Sequence, residues 1–257
     1  MFEVTPIPAF NDNYIWAITT SGSNQIAVVD PGDATPVEQY LADNALQLAA
    51  ILVTHHHHDH TGGITALTER HQVPVYGPEN SEFKGITHTF ADGDSLDLFG
   101  HALTVKTIPG HTLDHISYCT ASDTPQLFCG DTLFLAGCGR IFEGSPAQMF
   151  AAMNYFKTLP DNTEVYCTHE YSMANLQFAA AVEPDNENIT EVHKTCYGLR
   201  EADKPTLPTS IAQERAINPF LRTQEATVVK TASEFSGQPL TSELEVFTAV
   251  REWKNQF

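Results

Sequence analysis

Thr54-His55-His56-His57-His58-Asp59-His60 contains the spacing His-x-His-x-Asp-His, at His55, His57, Asp59 and His60. Imidazole and carboxylate groups this dense are metal-ligand material, well beyond what a solvated loop needs. The run follows Ala50-Ile51-Leu52-Val53, an apolar, β-branched segment that predicts a buried strand. It precedes Thr61-Gly62-Gly63, which opens a helical pattern. The ligands therefore sit on a loop at the end of a strand, where open α/β sheets place their chemistry. Alternate side chains of an extended loop face the same way, so His55 and His57 converge and His56 points elsewhere. Asp59 and His60 are displaced along the loop, which suits a second metal beside the first. A purification tag would lie at a terminus, whereas this run is internal and carries an Asp in register.

Three candidate partners lie downstream in similar settings. His111 ends Thr107-Ile108-Pro109-Gly110-His111, after the strand pattern Ala102-Leu103-Thr104-Val105-Lys106. Asp131 follows Leu127-Phe128-Cys129-Gly130, and His169 follows Val165-Tyr166-Cys167-Thr168. Each taken alone reads as a loop residue, a turn or a helix cap. Together, three more ligand types at strand ends read as one site.

These motifs resemble the metallo-β-lactamase superfamily and, within it, the glyoxalase II (hydroxyacylglutathione hydrolase) family. The His-rich loop specifies only the superfamily. The narrower resemblance rests on Ile7-Pro8-Ala9-Phe10-Asn11-Asp12-Asn13-Tyr14, Val29-Asp30-Pro31-Gly32-Asp33 and Cys129-Gly130-Asp131-Thr132-Leu133-Phe134. It rests also on Gly137-Cys138-Gly139-Arg140-Ile141-Phe142-Glu143-Gly144, His169-Glu170-Tyr171, Asn218-Pro219-Phe220-Leu221-Arg222 and Arg251-Glu252-Trp253-Lys254. The resemblance implies an αββα sandwich over residues 1–169 and a mainly helical substrate-binding domain over 170–257. It implies that His55, His57 and His111 hold one divalent metal, that Asp59, His60 and His169 hold another, and that Asp131 bridges the two. Zinc is the first expectation for both, with iron and manganese also suited to the donors. Arg140, Phe142, Tyr171, Arg251 and Lys254 are the implied glutathione contacts. Arg140 and Phe142 stand where many relatives have Lys and Tyr. Arg keeps the charge, but Phe has no hydroxyl to donate.

The implied reaction is hydrolysis of S-D-lactoylglutathione to glutathione and D-lactate, the second step of methylglyoxal detoxification. Two metals about 3.5–4 Å apart share a water and bring its pKa toward about 7, so no Ser or Cys nucleophile is needed. Asp59 and Asp131 are then the residues on which the nucleophile depends. Cys138 has no adjacent base that would mark it as one. Asp30, in a turn after a strand, also suits a hydrogen bond to a ligand His. Asp114 and His115 read as a polar pair opening a strand, or alternatively as supports for the ligands. Tyr171 reads as a substrate contact or a core tyrosine. Arg251 and Lys254 share one face of the last predicted helix. There they bind a carboxylate or merely complement the helix dipole.

Composition limits the alternatives. At 257 residues and 42% hydrophobic content the chain has room for one large domain or two smaller ones. No apolar run reaches membrane-spanning length, and the start lacks a basic-then-apolar leader. The five cysteines, at 119, 129, 138, 167 and 196, lie mostly in apolar patterns and predict buried thiols in a reducing cytoplasm. The net charge of −19 argues against nucleic-acid partners. Residues 1–169 carry 5 basic against 19 acidic side chains, and residues 170–257 carry 8 against 13. An anionic glutathione conjugate therefore needs local cations, which concentrate in the second part. A monomer acting on a small molecule is expected.

Strand patterns alternate with helical ones to residue 169, and helical periodicity dominates 172–182, 188–201, 210–217 and 240–254. Two other functions fit parts of the sequence. One is a single-iron persulfide dioxygenase of the same superfamily; the other is a non-catalytic metal store. Seven ligands and a long helical C-terminal part favour the hydrolase over the first. Ligands spread over four strand ends favour a built site over the second.

Overall fold

Strand β2 (Asn13–Thr19) is apolar on both faces, so alternation must send its side chains into two cores. Tyr14, Trp16 and Ile18 enter a cluster of 48 buried residues, and Ile15 and Ala17 enter a separate one of 14. Strands β3 (Gln25–Val29) and β4 (Gln47–Leu52) divide in the same way, Ala27, Val29, Ala50 and Leu52 to the first core, Ile26, Val28 and Ile51 to the second. The sheet is thus a wall between two hydrophobic layers. The computed structural model describes residues 1–257.

This first sheet runs in chain order: β1 (Glu3–Ala9), β2, β3, β4, β5 (Val75–Pro78) and β6 (His88–Phe90). The first three strands are antiparallel, and β3 to β6 are parallel. Helices α1 (Ala34–Asp43) and α3 (Ile64–His71) cover the smaller core through Val37, Leu41, Ile64 and Leu67. Between them lies the single turn α2 (His58–Thr61).

The second sheet contains β7 (Ser95–Leu98), β8 (His101–Thr107), β9 (Ile116–Thr120) and β10 (Gln126–Gly130). After a two-stranded ribbon, β11 (Leu133–Phe134) with β12 (Gly137–Cys138), helix α4 (Pro146–Phe156) leads to β13 (Glu164–Cys167), which pairs in parallel with β10. The two sheets face each other. Trp16 meets Tyr166 edge to face at 5.0 Å, and its indole N–H donates to the Cys167 carbonyl at 3.1 Å. With helices outside, this is the expected αββα sandwich.

From residue 170 the chain forms α5 (Ser172–Val182), α6 (Glu187–Glu201), α7 (Ile211–Ile217), α8 (Ala226–Ser236) and α9 (Glu243–Gln256). Aromatic contacts bind them, Phe178 to Phe220 at 6.1 Å and Phe220 to Phe247 at 5.7 Å. Their core is continuous with the space between the sheets. One short strand, β14 (Thr209–Ser210), extends the second sheet beyond β13, and the rest of this part is mainly helical as expected. All five cysteines are free and buried. No helix is long and apolar enough to cross a membrane.

Candidate metal centre and substrate cavity

Every expected ligand leaves a strand end at the same rim of the sandwich. His55, His57, Asp59 and His60 follow β4, His111 follows β8, Asp131 follows β10 and His169 follows β13. Gly130 lets the last turn of β10 pass close to the ligand loop. It has φ +48, and a Cβ there would lie 2.3 Å from Thr54 Oγ1.

Two groups of side chains converge: His55, His57 and His111, and Asp59, His60 and His169. In the first, His57 Nδ1 lies 3.2 Å from His55 Nε2 and 3.0 Å from His111 Nε2. Asp131 reaches both groups. Its Oδ2 is 3.4 Å from His111 Nε2 and 3.3 Å from His169 Nε2, and its Oδ1 is 3.4 Å from His60 Nε2. Asp59 Oδ2 is 3.4 Å from His60 Nε2 and 3.5 Å from His169 Nε2.

The hydrogen bonds on the far ring nitrogens fix which nitrogen faces inward. Asp30 accepts from His60 Nδ1 at 3.0 Å. The Arg140 carbonyl accepts from His111 Nδ1 at 2.7 Å, and Asp12 accepts from His169 Nδ1 at 2.8 Å. Thr54 Oγ1 donates to Asp30 at 2.7 Å and so accepts from His55 Nδ1 at 3.0 Å. A neutral imidazole with Nδ1–H engaged presents a bare Nε2 lone pair. In the first group, one proton at most, on His57 Nδ1, could sit among the three facing nitrogens. A divalent ion satisfies all three at once, since tetrahedral ligands at ~2.0–2.1 Å lie about 3.3 Å apart. His60 Nε2 and Asp131 Oδ1 are buried without a hydrogen-bond partner, which is the state of donor atoms reserved for a cation. The residues fit divalent metal.

Electrostatics separates the groups. Burial holds His55, His57 and His111 below the usual imidazole range, in the neutral form that ligates. Burial also opposes charge on His169, but Asp131 and Asp59 outweigh it and raise the group to about 10. His60 is raised the same way by Asp131 and Asp30 against its burial. Burial alone would raise Asp131, yet His60 and His169 hold it well below the carboxylate range. These carboxylates therefore collect positive charge at the second group, from protons or from metal.

His56 belongs to neither of these two groups, although its ring stays 5.1 Å from that of His57. It lies between Asp114 at 2.9 Å and Glu143 at 3.2 Å. Asp114 and His115 directly precede β9, as the strand-opening reading has it; Asp114 bonds only Thr112 and His56, whereas His115 also touches the candidate ligands. His115 stacks on His55 at 4.5 Å, and its Nε2 accepts from the Asp131 amide at 3.1 Å. Sequence reasoning assigned no role to Asp12, Asn13 or Glu143. Asn13 Nδ2 donates to Asp59 Oδ2 at 3.1 Å, and Glu143 accepts from the Leu113 amide at 2.8 Å. The only sequence signal was the polar turn Asn11-Asp12-Asn13 and the loop motif containing Glu143.

A cavity of about 630 Å³ opens over the centre, and all five expected substrate contacts line it. Phe142 is 61% exposed and stands edge-on to His57 and His111, at 5.7 and 5.3 Å. The Arg140 guanidinium lies 6.0 Å from the Phe142 ring. On the opposite wall Arg251 is buried, and its Nη1 donates to the Cys138 carbonyl at 2.6 Å and the Gly139 carbonyl at 3.3 Å. Lys254 Nζ reaches the Ala174 carbonyl at 3.2 Å and lies 5.1 Å from the Phe178 ring. Arg251 is thus committed to the ribbon strand β12, and Lys254 is the freer cation.

Comparison with known proteins gives a consistent result. A model of the metallo-beta-lactamase superfamily matches residues 10–169, and a model of the hydroxyacylglutathione hydrolase C-terminus matches residues 170–257. The hydroxyacylglutathione hydrolase of Hahella chejuensis is 50% identical across 100% of both chains. That of Vibrio parahaemolyticus is 51% identical, again across 100% of both. The crystal structure of ETHE1 from Myxococcus xanthus aligns with a TM-score of 0.65 at 24% identity, covering 99% of this chain and 98% of that one. At that identity the likeness is one of fold.

Proposed function

The chain belongs to the hydroxyacylglutathione hydrolase family of the metallo-β-lactamase superfamily, and we propose that its cavity hydrolyses S-D-lactoylglutathione to glutathione and D-lactate. The observation that carries the reading is the position of Asp131, whose carboxylate reaches histidines of both groups beneath a cavity with a cationic wall. In this reading His55, His57 and His111 would hold one ion, Asp59, His60 and His169 would hold a second, and Asp131 would serve both. Zinc suits the donors best. When bound, the ions supply an acidified water at neutral pH and polarise the thioester carbonyl.

The remaining work falls to the chain itself. Asp30, Thr54, Asp12 and the Arg140 carbonyl hold the imidazoles in the tautomer that leaves Nε2 bare. Arg140 and Lys254 supply positive charge against an overall −19, so an anionic substrate is drawn to this cavity and repelled elsewhere. Arg251 shapes the same wall by fixing Cys138 and Gly139. The Tyr171 hydroxyl is available to a peptide group of glutathione, and Phe142 offers an apolar edge beside His57. The leaving thiolate has a conjugate acid near ~8.5, so it departs without a dedicated general acid. Residues 1–169 supply the chemistry and part of the binding wall, and residues 170–257 complete that wall with Tyr171, Asn175, Arg251 and Lys254. The protein acts as a monomer in the cytoplasm, where its free thiols stay reduced.

The test is steady-state hydrolysis of S-D-lactoylglutathione beside a neutral thioester of the same acyl group. The reading requires a strong preference for the glutathione substrate and no oxygen consumption. Equal turnover of both substrates would remove glutathione from the proposal. Oxygen uptake with a glutathione persulfide would move the chain to oxidoreductase chemistry.

A further inference from the structure

Asp12 ends the turn between β1 and β2 and Asn13 opens β2, and their side chains reach two members of the same group of ligands. Asp12 Oδ1 lies 2.8 Å from His169 Nδ1, and Asn13 Nδ2 donates to Asp59 Oδ2 at 3.1 Å. Their side-chain hydrogen bonds go to this group alone. The turn is itself clamped on both sides of His169. The Tyr14 amide donates to the Thr168 carbonyl at 2.7 Å, and the Glu170 amide donates to the Asp12 carbonyl at 2.8 Å. The Tyr14 hydroxyl also donates to Glu170 Oε2 at 2.8 Å.

The supports of the other group come from elsewhere. His111 relies on the Arg140 carbonyl, and His55 relies on Thr54, which passes its own proton to Asp30. Asp30 also holds His60 directly, so this one carboxylate serves both groups. Asp30 is buried at 2% exposure, whereas the Asp12 side chain is 38% exposed at the surface of the turn. The Asp59, His60 and His169 group therefore has side-chain supports of its own, whereas the other group relies on a backbone carbonyl and, through Thr54, on the shared Asp30.

We propose that Asp12 and Asn13 are positioning residues for the metal position of Asp59, His60 and His169 only, so that the two positions differ in affinity through this turn. The inference rests on the two-ion reading above. Asp12 selects the His169 tautomer and makes Nε2 a better donor. Asn13 holds the Asp59 carboxylate toward His60 and His169.

The experiment uses the full chain stripped with chelator and titrated with zinc by calorimetry, with metal analysis of the end point. The parent should bind two ions per chain. Asp12→Ala should keep one at parental affinity and weaken the other by about 10–100-fold, the usual cost of losing a ligand's orienting partner. Asn13→Ala should weaken the same ion, and Asp12→Asn, which retains an acceptor oxygen, should recover part of the loss. Asp30→Asn should weaken both ions. Metal-free melting temperatures of the Asp12 variants should match the parent. Equal weakening of both ions in Asp12→Ala, or no weakening of either, would overturn the inference while leaving the two-ion reading intact. A parent that binds fewer than two ions would overturn that reading, and the inference with it.

Discussion

The phenol ring of Tyr171 lies flat on the imidazole of His169, with centroids 4.6 Å apart and planes 4° from parallel. The contact joins the first residues of the helical part to a ligand of the metal centre. It gives Tyr171 two separable jobs. The ring backs His169, and the hydroxyl is the polar group that this cavity-lining residue can offer a substrate. Burial, then Asp12 and Asp131, push that hydroxyl up to about 12, so it remains a donor at any working pH. Tyr171→Phe keeps the stack and should raise KM by about 2–10-fold, the range of one lost hydrogen bond, with kcat little changed. Tyr171→Ala should lower kcat as well. An unchanged KM in the Phe variant would mean that the hydroxyl does not touch substrate.

Asp131→Ala should deplete both ions and reduce activity by more than the roughly 10–100-fold typical of residues that only orient ligands. Its two oxygens approach histidines of both groups, so no single-site explanation covers its loss. Metal analysis after dialysis decides the point. Two ions retained per chain would rule out the bridging role.

Asp59→Ala should act differently. Asp59 touches only one group of ligands, and its side chain borders the cavity floor. The variant should lose one ion and most of its kcat, with KM within about threefold of the parent, because the cationic wall is untouched. Full kcat with a raised KM would contradict the binuclear reading.

Lys254 gives the binding step a pH signature. Burial, aided by the neighbouring Arg251, lowers its ammonium to about 8. The charged form exists below that value, so attraction for a substrate carboxylate is full near pH 7 and lost as pH rises through 8. KM for a glutathione thioester should therefore rise between pH 7 and 9. Lys254→Arg should flatten the rise, and Lys254→Ala should show a KM about tenfold higher at pH 7 with kcat nearly constant. Arg251→Ala should instead lower melting temperature and kcat together, because it frees the Cys138–Gly139 backbone. A parental KM that is flat across this range would exclude Lys254 from substrate binding.

Glu214 couples the same region to stability. It is fully buried, and burial raises its carboxyl from 4.5 to about 7 against the hydrogen bonds from Thr209, Asn218 and the Ala136 amide. The folded state holds this proton more tightly than the unfolded chain. Its contribution is therefore complete below about pH 4.5 and disappears as pH rises through about 7. The difference amounts to about 3 kcal/mol, as an order of magnitude. Glu214→Gln should thus gain melting temperature relative to the parent between pH 5 and 8. A constant gap between the two proteins over that range would show that Glu214 does not titrate there.

The convergence of the seven expected ligands was legible because each follows a short apolar strand, and strand ends are local signals. The helix α9 was legible too, and Ser242 and Glu245 mark its start with a reciprocal cap. Helix α8 was not. Its sequence Ala226-Thr227-Val228-Val229-Lys230 is β-branched at three successive positions, which weakens the helical signal, and tertiary packing of Val228 and Ala232 decides it. Strand β6 (His88–Phe90) has no buried position to give it an alternating pattern. The roles of Asp12 and Asn13 were not legible, since His169 lies 157 residues from Asp12 and only the folded sheets bring them together. The role of Arg251 was half legible. Spacing placed it on one helix face with Lys254, but no spacing shows that its Nη1 is already held by two backbone carbonyls.

The account depends above all on two ions joined at Asp131, and one titration addresses it. Metal-stripped protein is given zinc in graded equivalents, and bound metal and S-D-lactoylglutathione hydrolysis are measured on the same samples. The account requires no hydrolysis without metal and a maximum at two bound ions per chain. Full hydrolysis in the metal-free protein, or two bound ions without hydrolysis, would contradict it.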